Sequence, residues 1–361
     1  LFEEFFHSAI VSEGEKPLEE LVSHLKEGKP LITVPNLIYM EEQKVIHNPK
    51  AEALPYEHLV CPTFDQLPLE KYLMPYPVLP YMSSRGCYWG KCTFCTHSFI
   101  YDSYYRKENE TRVAEELGQL GKKYNTKYFT FSDEAISPNA FNRMSKAILK
   151  QGVEMRALGM LKFESGDKET PELFEDIYKA GFLMLFFGLE SANDRILKII
   201  DKGCDQETER SVLKNSSDAG IWNHLYLFFG FPTEEREEAE DTIQFTVENA
   251  EVGTGTIHSV GQSIFALEKD SAIYHNPGKF KIDRIIHNPE RDMAIVFDFD
   301  IDAGMPRDEV MEVYEQFDSV IEDTFPSRTI WNYLSREHFL LYLDHYGKEE
   351  ILNMAKTTVS P

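Results

Sequence analysis

At 361 residues the chain has room for one barrel-sized domain with smaller flanking segments. Apolar residues at 42% and aromatics at 13% are enough for a large core, and no apolar run reaches the length of a membrane span. A net charge of −24 sets the surface against nucleic acids and other polyanions, while five cysteines, three of them clustered, point away from a secreted disulfide framework and towards a reducing cytoplasm.

In chain order, residues 1–76 read as the end of an N-terminal region followed by a linker. The chain opens on Leu1 without a complete αβ unit, so a further domain is expected to precede it. Strand–helix alternation then starts. Pro77–Ser83 is apolar and runs into the cysteine loop; Thr111–Tyr124 has amphipathic helical spacing, and Lys127–Ser132 is an aromatic strand. Ser137-Pro138 opens a helix over Asn139–Gln151, Val153–Leu161 is the next strand, and Pro171–Ala180 the next helix. Phe182–Leu189 is continuously apolar, as for a strand covered on both faces. Glu207–Ala219, Trp222–Phe229, Thr233–Ala250 and Thr256–Phe265 complete six βα repeats. The expected fold is therefore α/β, a partial (β/α)6 barrel over 77–280 with an α-rich C-terminal extension over 281–361.

Cys87-Tyr88-Trp89-Gly90-Lys91-Cys92-Thr93-Phe94-Cys95 carries the chemistry. Three thiolates can hold a 4Fe–4S cube and leave one iron open to substrate. A Cys₃His zinc site with His97 is the alternative, although no second short-spaced cysteine pair accompanies the loop. Further polar groups fall at strand ends, where barrels of this kind collect their functional residues. Ser132-Asp133-Glu134 follows the second strand, as site residues or as a helix cap. Lys162 follows the third, as a cation for a ligand or a solvated surface lysine. Glu190-Ser191 follows the fourth, and an acid ending an apolar strand needs a reason. Gly230-Phe231-Pro232-Thr233-Glu234 follows the fifth, as a ligand-lining backbone or an ordinary strand–helix turn. Cys204 reads as a loop cysteine and Glu234–Glu240 as a solvated helix face.

The cysteine loop followed in order by Ser132–Glu134, Gly188–Ser191 and Gly230–Glu234 resembles the radical S-adenosylmethionine superfamily over about residues 77–280. The first interval, C-x4-C, is one residue longer than the superfamily's commonest form. The resemblance implies a cluster on Cys87, Cys92 and Cys95, with Phe94 beside it. It implies an S-adenosylmethionine site in which Ser132, Asp133 and Glu134 meet the amino group and Lys162 the carboxylate. Glu190 and Ser191 would meet the ribose, and Gly230 and Phe231 the adenine. Pro62–Leu69 and Arg85–Cys92 further resemble the cobalamin-dependent branch. The Asp-x-His-x-x-Gly cobalt-ligand motif is absent from the sequence, so cobalamin is a cofactor only if a preceding domain binds it. The expected activity is radical cleavage of S-adenosylmethionine, leading to methylation of an unactivated carbon in a peptide or small molecule. Flavodoxin or ferredoxin would supply electrons. A cobalamin-independent cyclase, epimerase or rearranging enzyme is one alternative; a non-catalytic iron–sulfur or zinc protein is another.

Overall fold

The computed structural model describes residues 6–96, 105–164, 169–291 and 293–358. Ser8–Ile10 (β1), Leu37–Glu41 (β2) and Lys44–His47 (β3) form a small antiparallel sheet with the helix Glu15–Glu27 (α1). A two-stranded ribbon, Ser84–Arg85 with Arg106–Lys107, brackets the cysteine loop. Arg85 pairs with Glu13 at 2.8 Å and also with Glu15, and Arg106 also pairs with Glu13, so the N-terminal sheet is bolted to the ribbon.

Six parallel strands make the main sheet: Val78–Tyr81 (β4), Tyr128–Phe131 (β5), Arg156–Leu161 (β6), Phe182–Glu190 (β7), Trp222–Phe229 (β8) and Ser259–Ile264 (β9), adjacent in that order. Parallel neighbours need a crossover, and each of the first five strands is followed by one or two helices. These are Glu110–Tyr124 (α2), Pro138–Gln151 (α3), Pro171–Lys179 (α4), Asp194–Ile199 (α5) with Gln206–Asp218 (α6), and Arg236–Asn249 (α7). Helix starts follow side-chain chemistry. Asn109, Ser137, Thr170, Asn193 and Asp205 each accept an N–H of the first turn, and Pro138 and Pro171 stand where a missing N–H costs nothing. Phe129, Phe131, Leu161, Leu185, Phe187, Leu225 and Phe229 point to these outer helices and form one apolar core with them. This is the partial (β/α)6 barrel with a helical C-terminal extension.

The other face of the sheet is filled by the C-terminal segment. Helix Arg336–Tyr346 (α8) sets Phe339, Leu340, Leu341 and Leu343 against Tyr128, Leu158, Met184, Phe186 and Trp222. Asp344 on that helix receives Tyr128 Oη at 2.8 Å and Arg156 Nε at 2.6 Å, both near strand N-termini. The long helix Arg307–Thr324 (α9) instead joins the outer core through Val310, Val313, Phe317 and Ile321. Inner-face residues near the strand C-termini are left lining a cavity. No helix among the described residues is long and apolar enough to cross a membrane.

Candidate active site

Cys87, Cys92 and Cys95 are partly buried thiols outside any disulfide, lining one cavity of about 440 Å³ at the C-terminal ends of the strands. That volume lies in the range of small-molecule sites, about 300–1,000 Å³. The loop is fixed from several sides. Thr93 N–H donates to Ile200 O and Thr93 O accepts from Ile273 N–H, both at 2.9 Å. Cys95 N–H donates to Cys92 O at 3.2 Å. Thr96 Oγ1 donates to Glu268 Oε2 at 2.8 Å. The chain leading into the loop is pinned by Asp133, which accepts Ser83 N–H at 3.0 Å, Ser83 Oγ at 2.7 Å and Ser84 Oγ at 2.5 Å. Burial raises the Asp133 carboxyl, and these hydrogen bonds pull against that rise.

The end of β7 is shaped around a carboxylate. Gly188 pairs with Tyr226 and Glu190 with Leu227, so Leu189 is the extra residue of a β-bulge. Glu190 has φ +64°, a conformation that costs a non-glycine residue about 1–3 kcal/mol and clusters at functional sites. Its Oε1 accepts Lys202 Nζ at 2.8 Å, with both side chains largely out of solvent. Burial disfavours the Lys202 charge, but Glu190, Cys92 and Cys204 together oppose it and the ammonium is held above its usual range. A Cβ on residue 188 would stand 2.3 Å from Glu190 Oε1 and 2.7 Å from Lys202 Nζ. A side chain at this position would have to displace the pair.

Lys162, 5% exposed, is a buried cation; its Nζ donates to Phe163 O at 2.6 Å and lies 4.3 Å from the Trp89 ring centroid. Burial pushes the Lys162 ammonium below its usual range. Burial likewise raises the Cys92 thiol, and Lys202 and Lys162 oppose that rise. Phe94 meets Phe228 edge to face at 5.2 Å, and with Phe265 they make the apolar wall.

Of the residues singled out in the sequence, the cavity gathers Cys87, Cys92, Cys95, Phe94, Glu134, Lys162 and Glu190. The others stand elsewhere. Ser132 is exposed and its N–H continues the sheet to Tyr81 O. Asp133 is the buried pin described above. Ser191, fully buried, shares a hydrogen bond of 3.2 Å with Thr242 and accepts Asn193 N–H. Gly230 faces α9, where a Cβ would lie 2.7 Å from Val310, and Phe231 packs behind the apolar wall, 5.1 Å from Phe265. Glu234 leaves the solvated acidic face: it is fully buried and its Oε2 accepts Gly230 N–H at 2.6 Å. Sequence reading gave no role to Trp89, Lys202, Tyr226, Phe228 or Glu268, all on the cavity wall. Lys202 had one available signal, a lysine in a glycine turn shortly after an unexplained strand-end acid.

Among the described residues no group of three His, Cys, Asp or Glu side chains is found that could hold a metal ion. His97, the fourth ligand of the zinc alternative, lies outside the described residues. The donor set does fit a cube cluster. In such a cluster each thiolate takes a different iron, so the ligands must face one cavity and not converge on a single ion. Three thiols do so here, beside two buried ammonium groups that offset thiolate charge.

The Radical SAM superfamily model matches residues 81–246. An uncharacterized methyltransferase of Pyrococcus horikoshii is 30% identical over 244 residues, covering 66% of this chain and 52% of the relative. The bacteriochlorophyllide d C-12(1)-methyltransferase of Chlorobaculum tepidum is 28% identical over 179 residues, covering 48% of this chain and 38% of that one. The chain thus spans about half the length, or less, of these curated relatives. Among solved structures, the cobalamin-dependent S-adenosylmethionine radical enzyme OxsB superposes with a TM-score of 0.69 at 17% identity, over 96% of this chain and 58% of that one. The radical S-adenosylmethionine methyltransferase TsrM of Kitasatospora setae gives 0.65 at 15% identity, over 99% and 80%. At such identities the structural likeness is one of fold.

Proposed function

We infer that the chain is a radical SAM enzyme, from the superfamily model's match to residues 81–246, and that Cys87, Cys92 and Cys95 hold a 4Fe–4S cluster at which S-adenosylmethionine is reductively cleaved. One observation carries this reading: a single cavity joins the three thiols to Glu134, Lys162 and Glu190. When bound, the cluster supplies one electron to the sulfonium, giving methionine and a 5′-deoxyadenosyl radical.

The chain's own residues bind and orient. Glu134 accepts hydrogen bonds from the methionine ammonium, and Lys162 faces its carboxylate. Glu190 accepts the ribose hydroxyls; Lys202 holds it in place, and the φ of +64° turns it into the cavity. Phe94, Phe228 and Phe265 take the adenosyl side and exclude water, with Phe231 supporting that wall from behind.

The finer reading is methyl transfer to an unactivated carbon of a small molecule or peptide, with cobalamin as second cofactor and flavodoxin or ferredoxin as electron donor. Two relatives named as methyltransferases support it. The test is an anaerobic assay of cluster-reconstituted protein with dithionite and S-adenosylmethionine, with and without added cobalamin, reading products by mass spectrometry. Formation of 5′-deoxyadenosine supports the cleavage reading, and joint formation of S-adenosylhomocysteine supports methyl transfer. A cluster-loaded enzyme that binds S-adenosylmethionine yet gives neither product under any of these conditions would contradict the proposal.

A further inference from the structure

The four residues between Cys87 and Cys92 include Trp89, and the structure spends several contacts on that one indole. Its Nε1 donates to Asp201 O at 2.7 Å. A Cβ on residue 203 would lie 2.3 Å from two of its ring carbons, so the ring occupies the space that Gly203 leaves open. Asp201 and Gly203 both have positive φ, 55° and 72°, so this turn is bent to receive the ring. Between them stands Lys202, whose ammonium binds Glu190. On its other contacts the indole meets Lys162 Nζ at 4.3 Å from the centroid and Lys91 Nζ at 4.5 Å. Trp89 therefore touches Lys162 directly and fixes Lys202 through the two residues that flank it.

We propose that Trp89 is a positioning residue that holds the ammonium groups of Lys162 and Lys202 against the cysteine side of the cavity, and through them sets the reduction potential of the cluster. The inference rests on the cluster reading above. The physics is electrostatic. Reduction adds negative charge to a cluster that already carries three thiolates. A nearby buried cation stabilises the reduced form more than the oxidised one and raises the potential. Exposed lysines would be screened and mobile; Lys162 and the Lys202 side chain are both under a tenth exposed. The aromatic face gives Lys162 a neighbour with no formal negative charge, whereas Lys202 has Glu190 beside it and contributes less.

The experiment is an anaerobic redox titration of the reconstituted full chain, followed by electron paramagnetic resonance, with iron and sulfide counted for each variant. Lys162→Met should move the midpoint to more negative potential. Trp89→Leu should move it in the same direction by a smaller amount. The double variant should shift by less than the sum, because Trp89 acts partly through Lys162. Equal midpoints for wild type and Trp89→Leu at equal cluster content, or a strictly additive double variant, would overturn the inference while leaving the cluster reading intact. Should Trp89→Leu fail to retain iron, Trp89→Phe decides, since it keeps a ring and deletes the Asp201 bond. A negative shift supports the proposal and an unchanged midpoint overturns it. A wild-type chain that takes up no iron and sulfide removes both readings together.

Discussion

Two neighbouring strand ends look alike in sequence and do different work. The chain leaves β7 through Gly188-Leu189-Glu190 and β8 through Gly230, with Glu234 four residues on. At the end of β7 a bulge turns the acid into the cavity, and the glycine is empty so that a lysine can reach it. At the end of β8 the acid folds back on its own backbone, and the glycine is empty so that α9 can approach. The difference lies in what each acid finds as partner. Glu190 pairs with an ammonium and faces the ligand space. Glu234 has backbone N–H groups, and burial pushes its carboxyl up to about 8 despite them. A glycine and a strand-end acid are thus insufficient to mark a site; a buried opposite charge beside them is the added sign.

The comparison can be broken by substitution. The largest effect is expected for Glu190→Ala, which leaves Lys202 buried and unpaired. Removing one partner of a buried pair costs about 3–5 kcal/mol, so urea unfolding should show that loss and 5′-deoxyadenosine formation should fall about 100-fold or more. Replacing both partners with Leu and Met should restore much of the stability and none of the cleavage. Gly230→Ala comes next. Its Cβ meets Val310 and its backbone has φ +82°, so a stability loss of about 2–3 kcal/mol is expected with cleavage per cluster unchanged. Gly188→Ala should do the reverse: its Cβ enters the Glu190–Lys202 bridge, raising the Kd for S-adenosylmethionine about 10-fold with a smaller change in unfolding midpoint.

The smallest effect is a pH dependence. Between the unfolded value near 4.5 and the folded value of about 8, folded Glu234 keeps a proton that the unfolded chain has released. Its contribution to stability is complete below that window and declines as pH rises through it, by at most about 1.4 kcal/mol per pH unit. Glu234→Gln should flatten the stability–pH curve over this range.

The barrel was legible because each crossover carries its own punctuation. Ser137-Pro138 and Thr170-Pro171 begin helices where the spacing places them, and the strands are apolar runs of strand length. The cysteine loop was equally plain. Less of the cavity wall was readable. Asp133 reads as a cavity acid by its position after a strand, yet its direction is set by Ser83 and Ser84, some fifty residues earlier. Lys202 needs the bulge at Leu189 and the turn at Asp201, both products of backbone conformation and not of residue type. The placement of α8 against the inner face rests on Phe339 and Leu343 finding Trp222 and Tyr128, long-range packing that periodicity does not encode.

The most direct measurement of the central claim is electron paramagnetic resonance of the reconstituted, dithionite-reduced chain before and after adding S-adenosylmethionine. The account predicts a reduced 4Fe–4S signal that changes on addition, because an open iron takes the ligand, and that is absent from Cys92→Ala. A cluster signal indifferent to S-adenosylmethionine, or a chain that holds zinc in place of iron and sulfide, would contradict it.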